Sequence, residues 1–126
     1  MDTMVLVAVI GVVLTIGVVA VASGAQRERR VAPVRAAVDG LRQAATEGVR
    51  RWATDEREAV RTVKAGIERA AAAIAIAVSD WRISPSEAAD LTLAASRNLR
   101  EGIRAGVVQG RFTPTDAERM MALIKQ

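Results

Sequence analysis

The first feature of the chain is a long apolar run near its start. Residues 4–25 read MVLVAVIGVVLTIGVVAVASGA and contain no charged side chain. As an α-helix this segment would extend about 33 Å, enough to cross a hydrocarbon core of about 30 Å. A single span in lipid must satisfy its own backbone hydrogen bonds, and only a helix does so. The pattern therefore predicts a transmembrane helix over residues 4–25, preceded by a short tail of residues 1–3.

The charges on either side of this segment predict its orientation. A basic junction, residues 26–32, follows it, whereas the tail before it has Asp2 and no basic residue. Basic residues favour the cytoplasmic side, so we expect the N-terminus outside an inner membrane, or a virion membrane, and the C-terminus in the cytoplasm. The arginines expected to bind lipid headgroups are Arg27, Arg29, Arg30 and Arg35. The alternative is a cleaved signal peptide with Ala20 and Ala22 at the cleavage site, although no basic residue precedes the apolar run.

Small residues recur along one face of the predicted span. At steps of three, four and seven residues they are Ala8, Gly11, Thr15 and Ala22. Small side chains let helix backbones approach closely in lipid, so this stripe favours lateral self-association of the chain. The alternative is a chance pattern in a segment rich in alanine and glycine.

A second apolar pattern, of helical period, runs from residue 33 to residue 81. Pro33 suits the first position of a new helix, and no further proline occurs before Pro85. The positions expected to pack between helices are Leu41, Trp52, Val63, Ile67, Ile74 and Trp81. A step of eight residues between Trp52 and Val60 replaces the seven of a strict heptad, which predicts a local change of supercoil. We expect one long amphipathic, coiled-coil-like helix that packs in an oligomer or against the C-terminal helices.

Two similar stretches, RISPSEAADL and RFTPTDAERM, divide the C-terminal part of the chain. Each places a serine or threonine before a proline and an acid three residues after the cap, as in a capping box. The residues predicted to cap the two helices are Ser84 with Glu87 and Thr113 with Asp116. Ile83 and Phe112 precede the caps as hydrophobic staples. The sequence predicts a two-helix module over residues 84–126, with helices over 85–108 and 114–125, and an all-α fold.

Composition narrows the candidate functions. The chain of 126 residues has no cysteine and no histidine, which excludes disulfides, thiolate nucleophiles and imidazole bases. No Ser–Lys motif or glycine-rich phosphate loop is present, and the turn near Gly110 lacks the oxygen ligands of a calcium loop. We therefore expect neither catalysis nor a cofactor or metal. The net charge of +4 suits anionic lipid at the junction. The later arginines alternate with acids, so we expect no specific nucleic-acid partner.

Taken as a whole, the layout resembles small single-span bacteriophage membrane proteins of the holin-like kind. The resemblance lies in the span at residues 4–25 and in the helix starts at residues 80–88 and 110–117. It implies a homo-oligomer that assembles laterally in the lipid bilayer and permeabilises it, with the stripe through Gly11 and Thr15 as the working surface. The alternative hypothesis is a membrane-anchored scaffold or virion component that binds a protein partner through its C-terminal module. A stalk subunit of a larger membrane complex is a third.

Overall fold

The computed structural model describes residues 24–126, with side chains described from Val31 onward. This part of the chain is entirely helical. Its four helices are α1 (Gly24–Trp52), α2 (Glu56–Ser79), α3 (Pro85–Val108) and α4 (Pro114–Lys125). The all-α prediction is confirmed, and the bounds of α3 and α4 agree with those expected from the two proline-containing repeats.

The prediction of one long helix over residues 33–81 is wrong, because the chain turns back at residues 53–55. Asp55 caps α2, and its carboxylate accepts a hydrogen bond of 3.1 Å from the amide of Glu58. The Arg51 side chain spans the turn, donating to Glu47 at 2.8 Å and to Glu58 at 3.3 Å. The eight-residue step between Trp52 and Val60 is therefore a helical hairpin. Folding back buries the two halves of the apolar stripe against each other within one chain.

Pro33 does not start a helix, since it lies inside α1. It is solvent-exposed, while Val31 and Val34 on either side of it are 6% and 1% exposed. A proline inside a helix removes one backbone hydrogen bond. The burial of both flanking valines provides the compensating packing, so the helix continues through this position.

Close contacts between helix backbones define the topology. A Cβ on Gly66 of α2 would lie 2.6 Å from the Cβ of Ala44, and one on Gly48 of α1 would meet Val63, so α2 runs antiparallel to α1. Against the other side of α1, a Cβ on Gly102 would lie 2.6 Å from that of Ala45. These positions require glycine because any larger residue would separate the helices.

Helix α3 runs parallel to α1 and packs against it, which is one of the two arrangements that the sequence left open. The Asn98 side chain donates to the Val38 carbonyl at 2.9 Å, and Gly106 further along α3 packs on Val49. Contacts therefore advance together along both helices. We call the end of the bundle at residues 53–55 the distal end and the end where α1 begins the proximal end.

The core lies between α1, α2 and α3. Five of the six residues predicted to pack between helices are at most 6% exposed; they are Leu41, Trp52, Val63, Ile67 and Ile74. The sixth, Trp81, is 45% exposed, so that prediction is wrong. Helix α2 ends at Ser79, and Trp81 occupies the turn with a φ of 64° instead of continuing the buried stripe.

Several predictions concern residues outside the described part. The span at residues 4–25 falls almost wholly there, together with its stripe at Ala8, Gly11, Thr15 and Ala22. Residues 26–30 belong to α1, but the side chains of Arg27, Arg29 and Arg30 are not described; Arg35 is exposed. Within residues 24–126, none of the helices combines the length and the apolar character that crossing a membrane requires.

Candidate functional site

The candidate site is a groove between α3 and α4, and the turn before α4 sets its geometry. Gly110 takes a φ of 74°, which reverses the chain direction after α3. The Thr113 hydroxyl accepts from the Asp116 amide at 3.0 Å, and the Asp116 carboxylate accepts from the Thr113 amide at 3.1 Å. This is the capping box that the repeat predicts, and the corresponding box of Ser84 and Glu87 is formed at α3. Both boxes fix the first turn of their helices.

The inner face of α4 is held against the distal half of the bundle. Phe112 is 3% exposed and meets Trp52 edge-to-face, with ring centroids 5.6 Å apart. Met120 is fully buried, and Arg119 pairs with Glu56 of α2 at 3.1 Å. With its inner face occupied, α4 presents an adjacent side next to α3, where the groove forms.

The groove has a volume of about 600 Å³ and an apolar floor. Its apolar lining comes from both helices and consists of Ile103, Val107, Pro114, Ala117, Met121 and Ala122. Methionine and short aliphatic side chains adapt to different apolar surfaces, as in grooves that bind amphipathic helices. The site is therefore suited to binding an apolar helix face, and it lacks the polar constellation that catalysis needs.

The rim of the groove is predominantly basic. Its charged side chains are Arg100, Arg104, Glu118 and Lys125. Three of these four are cations, and Arg97 continues the same edge of α3 beyond the groove. A second groove, between α2 and α4, has two acids, Glu56 and Glu68, among four basic residues, and Arg119 pairs with Glu56 at its edge. Of these two grooves, the α3–α4 groove has the more apolar floor.

The two carboxylates with lowered pKa values serve the fold. Hydrogen bonds from Arg50 and Arg51 hold the pKa of Glu47 at about 2. Hydrogen bonds from the backbone and then the side chain of Thr113 lower the pKa of Asp116, with smaller contributions from Trp52 and Arg119. Both shifts favour the ionised carboxylate, which suits a helix cap or an ion pair and not a general acid at neutral pH.

The described residues offer no group of three or more aspartate, glutamate, histidine or cysteine side chains placed to hold a metal ion. The sequence reasoning missed the groove. The available signal was the spacing of Arg97, Arg100 and Arg104 along one face of α3, next to apolar positions. Placing Met121 opposite that face requires knowing how α4 docks, which depends on contacts distant in sequence.

Comparisons with protein-family models, with curated proteins and with solved structures return no match for this chain.

Proposed function

We propose that this chain is a non-enzymatic, membrane-anchored docking module whose α3–α4 groove binds an amphipathic helix with an acidic border from a protein partner. Residues 4–25 anchor the chain in an inner membrane, or a virion membrane, with the helical bundle on the cytoplasmic side. The observation that carries the proposal is the groove itself, with its apolar floor and the three cations on its rim.

The position of the groove favours a protein over a lipid as the bound partner. Gly102, next to the groove, packs on Ala45 of α1. Ala45 lies twenty residues beyond the end of the proposed span. At about 1.5 Å per residue this places the groove roughly 30 Å from the hydrocarbon core. A surface at that height is accessible to a cytoplasmic protein and out of reach of lipid headgroups.

Charge complementarity specifies the chemistry of the partner. An apolar helix face of i, i+3, i+4 and i+7 spacing fits a groove of this kind. Acidic residues flanking that face would meet Arg100, Arg104 and Lys125, whereas lysines would be repelled. Electrostatic complementarity at a rim favours the right partner mainly through specificity and association rate.

The holin-like pore is a second candidate, which the small-residue stripe through Gly11 favours. The fold of residues 24–126 reduces the support for it. The apolar faces of α1 and α2, on which a laterally assembling rod would depend, are buried within one chain. Lateral assembly would then rest on the span alone, while the docking hypothesis uses the bundle as well.

Binding of a synthetic peptide tests the docking proposal. The probe is an amphipathic helical peptide with a leucine face bordered by glutamates, titrated against the full chain in lipid nanodiscs. The comparison peptide has lysines in place of the glutamates. We expect the acidic peptide to bind more tightly, and Met121→Glu to abolish binding because it puts a negative charge into the apolar floor.

Ala72→Glu, at an exposed position of α2 away from the groove, is the matched control and should bind normally. Equal binding of both peptides, or binding that survives Met121→Glu, would contradict the proposal.

Expression of the full chain in bacteria separates docking from pore formation. A docking module leaves the membrane potential intact, and Gly11→Leu has no effect on growth. Abrupt collapse of the potential that Gly11→Leu abolishes would favour the holin-like pore.

A further inference from the structure

We propose that Trp81 is an interfacial contact that seats the proximal end of the bundle on the bilayer surface. The proposal rests on the membrane anchor of the proposed function. It adds a second membrane contact, about 55 residues beyond the span in sequence, which the apolar segment itself does not supply.

The first observation is the unusual backbone of Trp81. Its φ of 64° lies in the left-handed region, and among the described residues other than glycine it alone has a positive φ. A side chain with a Cβ is disfavoured there, and glycine is the usual occupant. Because the tryptophan occupies an unfavourable conformation, the position is a candidate for a role other than stabilising the fold.

The equivalent turn between α3 and α4 shows which residue this backbone conformation favours. There the amide of Gly110 donates to the Val107 carbonyl at 3.1 Å, and Arg111 donates to Gly106 at 3.1 Å. At the α2–α3 turn, Trp81 donates to Val78 at 3.1 Å and Arg82 to Ala77 at 2.8 Å. The backbone hydrogen-bond pattern is the same in both turns, so Trp81 occupies the position that Gly110 occupies in the α3–α4 turn.

The second observation is the exposure of the side chain. Trp81 is 45% exposed, although the other tryptophan, Trp52, is 6% exposed. Ile76, in the last turn of α2, is 52% exposed. Leu93 and Val108 are also exposed, but they lie away from the α2–α3 turn. At this turn, Trp81 and Ile76 leave apolar surface in contact with water, and an indole is suited to a boundary between apolar and polar surroundings.

The third observation is the height of Trp81 along the bundle. Gly66 lies against Ala44, and α2 is antiparallel to α1. Trp81 is fifteen residues after Gly66, so it lies at about the level of Arg29, fifteen residues before Ala44. Arg29 follows the proposed span by four residues, or about 6 Å of helix. This is the depth of the headgroup region, where tryptophan is enriched.

The charges of the turn are compatible with this position. The Asp80 carboxylate pairs with Arg82 at 3.1 Å, so its charge is compensated within the turn. The α1 sequence at the same level carries Arg29 and Arg30. Anionic lipid is attracted by basic residues next to a span. The indole then provides an apolar ring for the acyl boundary and an N–H for the headgroups.

Fluorescence of the full chain in lipid vesicles tests the proposal. In Trp52→Phe, Trp81 is the sole tryptophan, and in Trp81→Phe only Trp52 remains. The vesicles contain phosphatidylcholine and phosphatidylglycerol, with or without lipids brominated at the headgroup end of the acyl chains. We expect Trp81 to lose most of its emission in brominated vesicles, and its spectrum to be blue-shifted relative to a water-exposed indole. Trp52, in the distal half of the bundle, should keep its emission.

Flotation of the same vesicles distinguishes failure of the proposed membrane anchor from failure of the Trp81 contact. Full chain that fails to float with vesicles overturns the anchor of the proposed function. Full chain that floats while Trp81 remains unquenched, with the spectrum of an indole in water, overturns the interfacial contact alone. A blue-shifted but unquenched Trp81 whose spectrum changes with the protein-to-lipid ratio would show that a second copy covers it, which also overturns the proposal.

Discussion

The turn between α2 and α3 and the turn between α3 and α4 have the same backbone but different residues at the critical position. Each ends a helix with a left-handed residue, continues through a buried staple, and starts the next helix with a capping box and a proline. The second turn has Gly110 at the left-handed position, as expected for a turn selected for stability. The first has Trp81, which is exposed.

The comparison shows that the fold requires the caps and staples, while it tolerates different residues at the left-handed position. The caps and staples are equivalent in both turns because helix starts need them wherever they occur. The left-handed residue differs because the two turns lie at opposite ends of the bundle. The α3–α4 turn is distal, near Trp52, whereas the α2–α3 turn lies at the proximal end next to the proposed membrane surface.

Truncation of the staples should have the largest effect. Phe112→Ala and Ile83→Ala remove side chains that are 3% and 1% exposed. Each should lower the free energy of unfolding by about 2–5 kcal/mol, as measured by urea denaturation. Phe112 secures only the shorter helix α4, while Ile83 joins the ends of α2 and α3.

Hydrogen exchange separates the two staple variants. We expect Phe112→Ala to accelerate exchange mainly in α4 and to weaken peptide binding in the groove. Ile83→Ala should accelerate exchange throughout the bundle. A loss of protection confined to the α2–α3 turn in Ile83→Ala would contradict its place in the common core.

Removal of either cap should have an intermediate and nearly equal effect. Ser84→Ala and Thr113→Ala each leave one amide of the first helical turn without its side-chain acceptor. Each should reduce the free energy of unfolding by about 1 kcal/mol in thermal denaturation. A loss at one cap several times that at the other would show that the two turns are not equivalent.

Substitutions at the left-handed residues should have small effects of opposite sign. Trp81→Gly should stabilise the fold by roughly 0.5–1 kcal/mol, since glycine adopts a positive φ without steric conflict. Gly110→Ala should destabilise it by a similar amount, although nothing lies within 4 Å of the position of the added Cβ. Chemical denaturation of both variants checks the pair. Destabilisation by Trp81→Gly would mean that the indole packs on the bundle, contrary to the interfacial role.

The smallest effect concerns the pH dependence of the second cap. The pKa of Asp116 lies below its ordinary value because the folded state favours the ionised carboxylate. Its contribution to stability is therefore fully present above about pH 3.8 and is lost as the pH falls through the lowered pKa. An NMR titration should show the Asp116 pKa rising towards its ordinary value in Thr113→Ala. An unchanged pKa would mean that the Thr113 hydroxyl plays no part.

The two helix caps could be predicted from residues close together in the sequence. The turn between α1 and α2 was missed, because the eight-residue step between Trp52 and Val60 was interpreted as a change of supercoil. The two proline-containing starts are readable because each capping box lies within four residues. The α1–α2 turn contains neither glycine nor proline. Its available signal was Asp55 three residues before Glu58, which has the spacing of a helix cap. The groove was not predictable, because it requires Met121 and Ile103 to meet through the docking of α4.

The central claim is that α1 and α2 bury their apolar faces against each other within one chain. The α3–α4 groove then remains as the open binding surface. A pair of spin labels tests it directly, since the chain has no native cysteine. Labels at Asp39→Cys and Ala72→Cys occupy exposed positions at the same level of the antiparallel pair. Pulsed electron paramagnetic resonance measures the distance between the two labels, and excess unlabelled chain ensures that only distances within one molecule contribute. The account predicts a short distance, from helix axes about 10 Å apart plus the label arms. A distance near the roughly 50 Å expected for a continuous helix would contradict it.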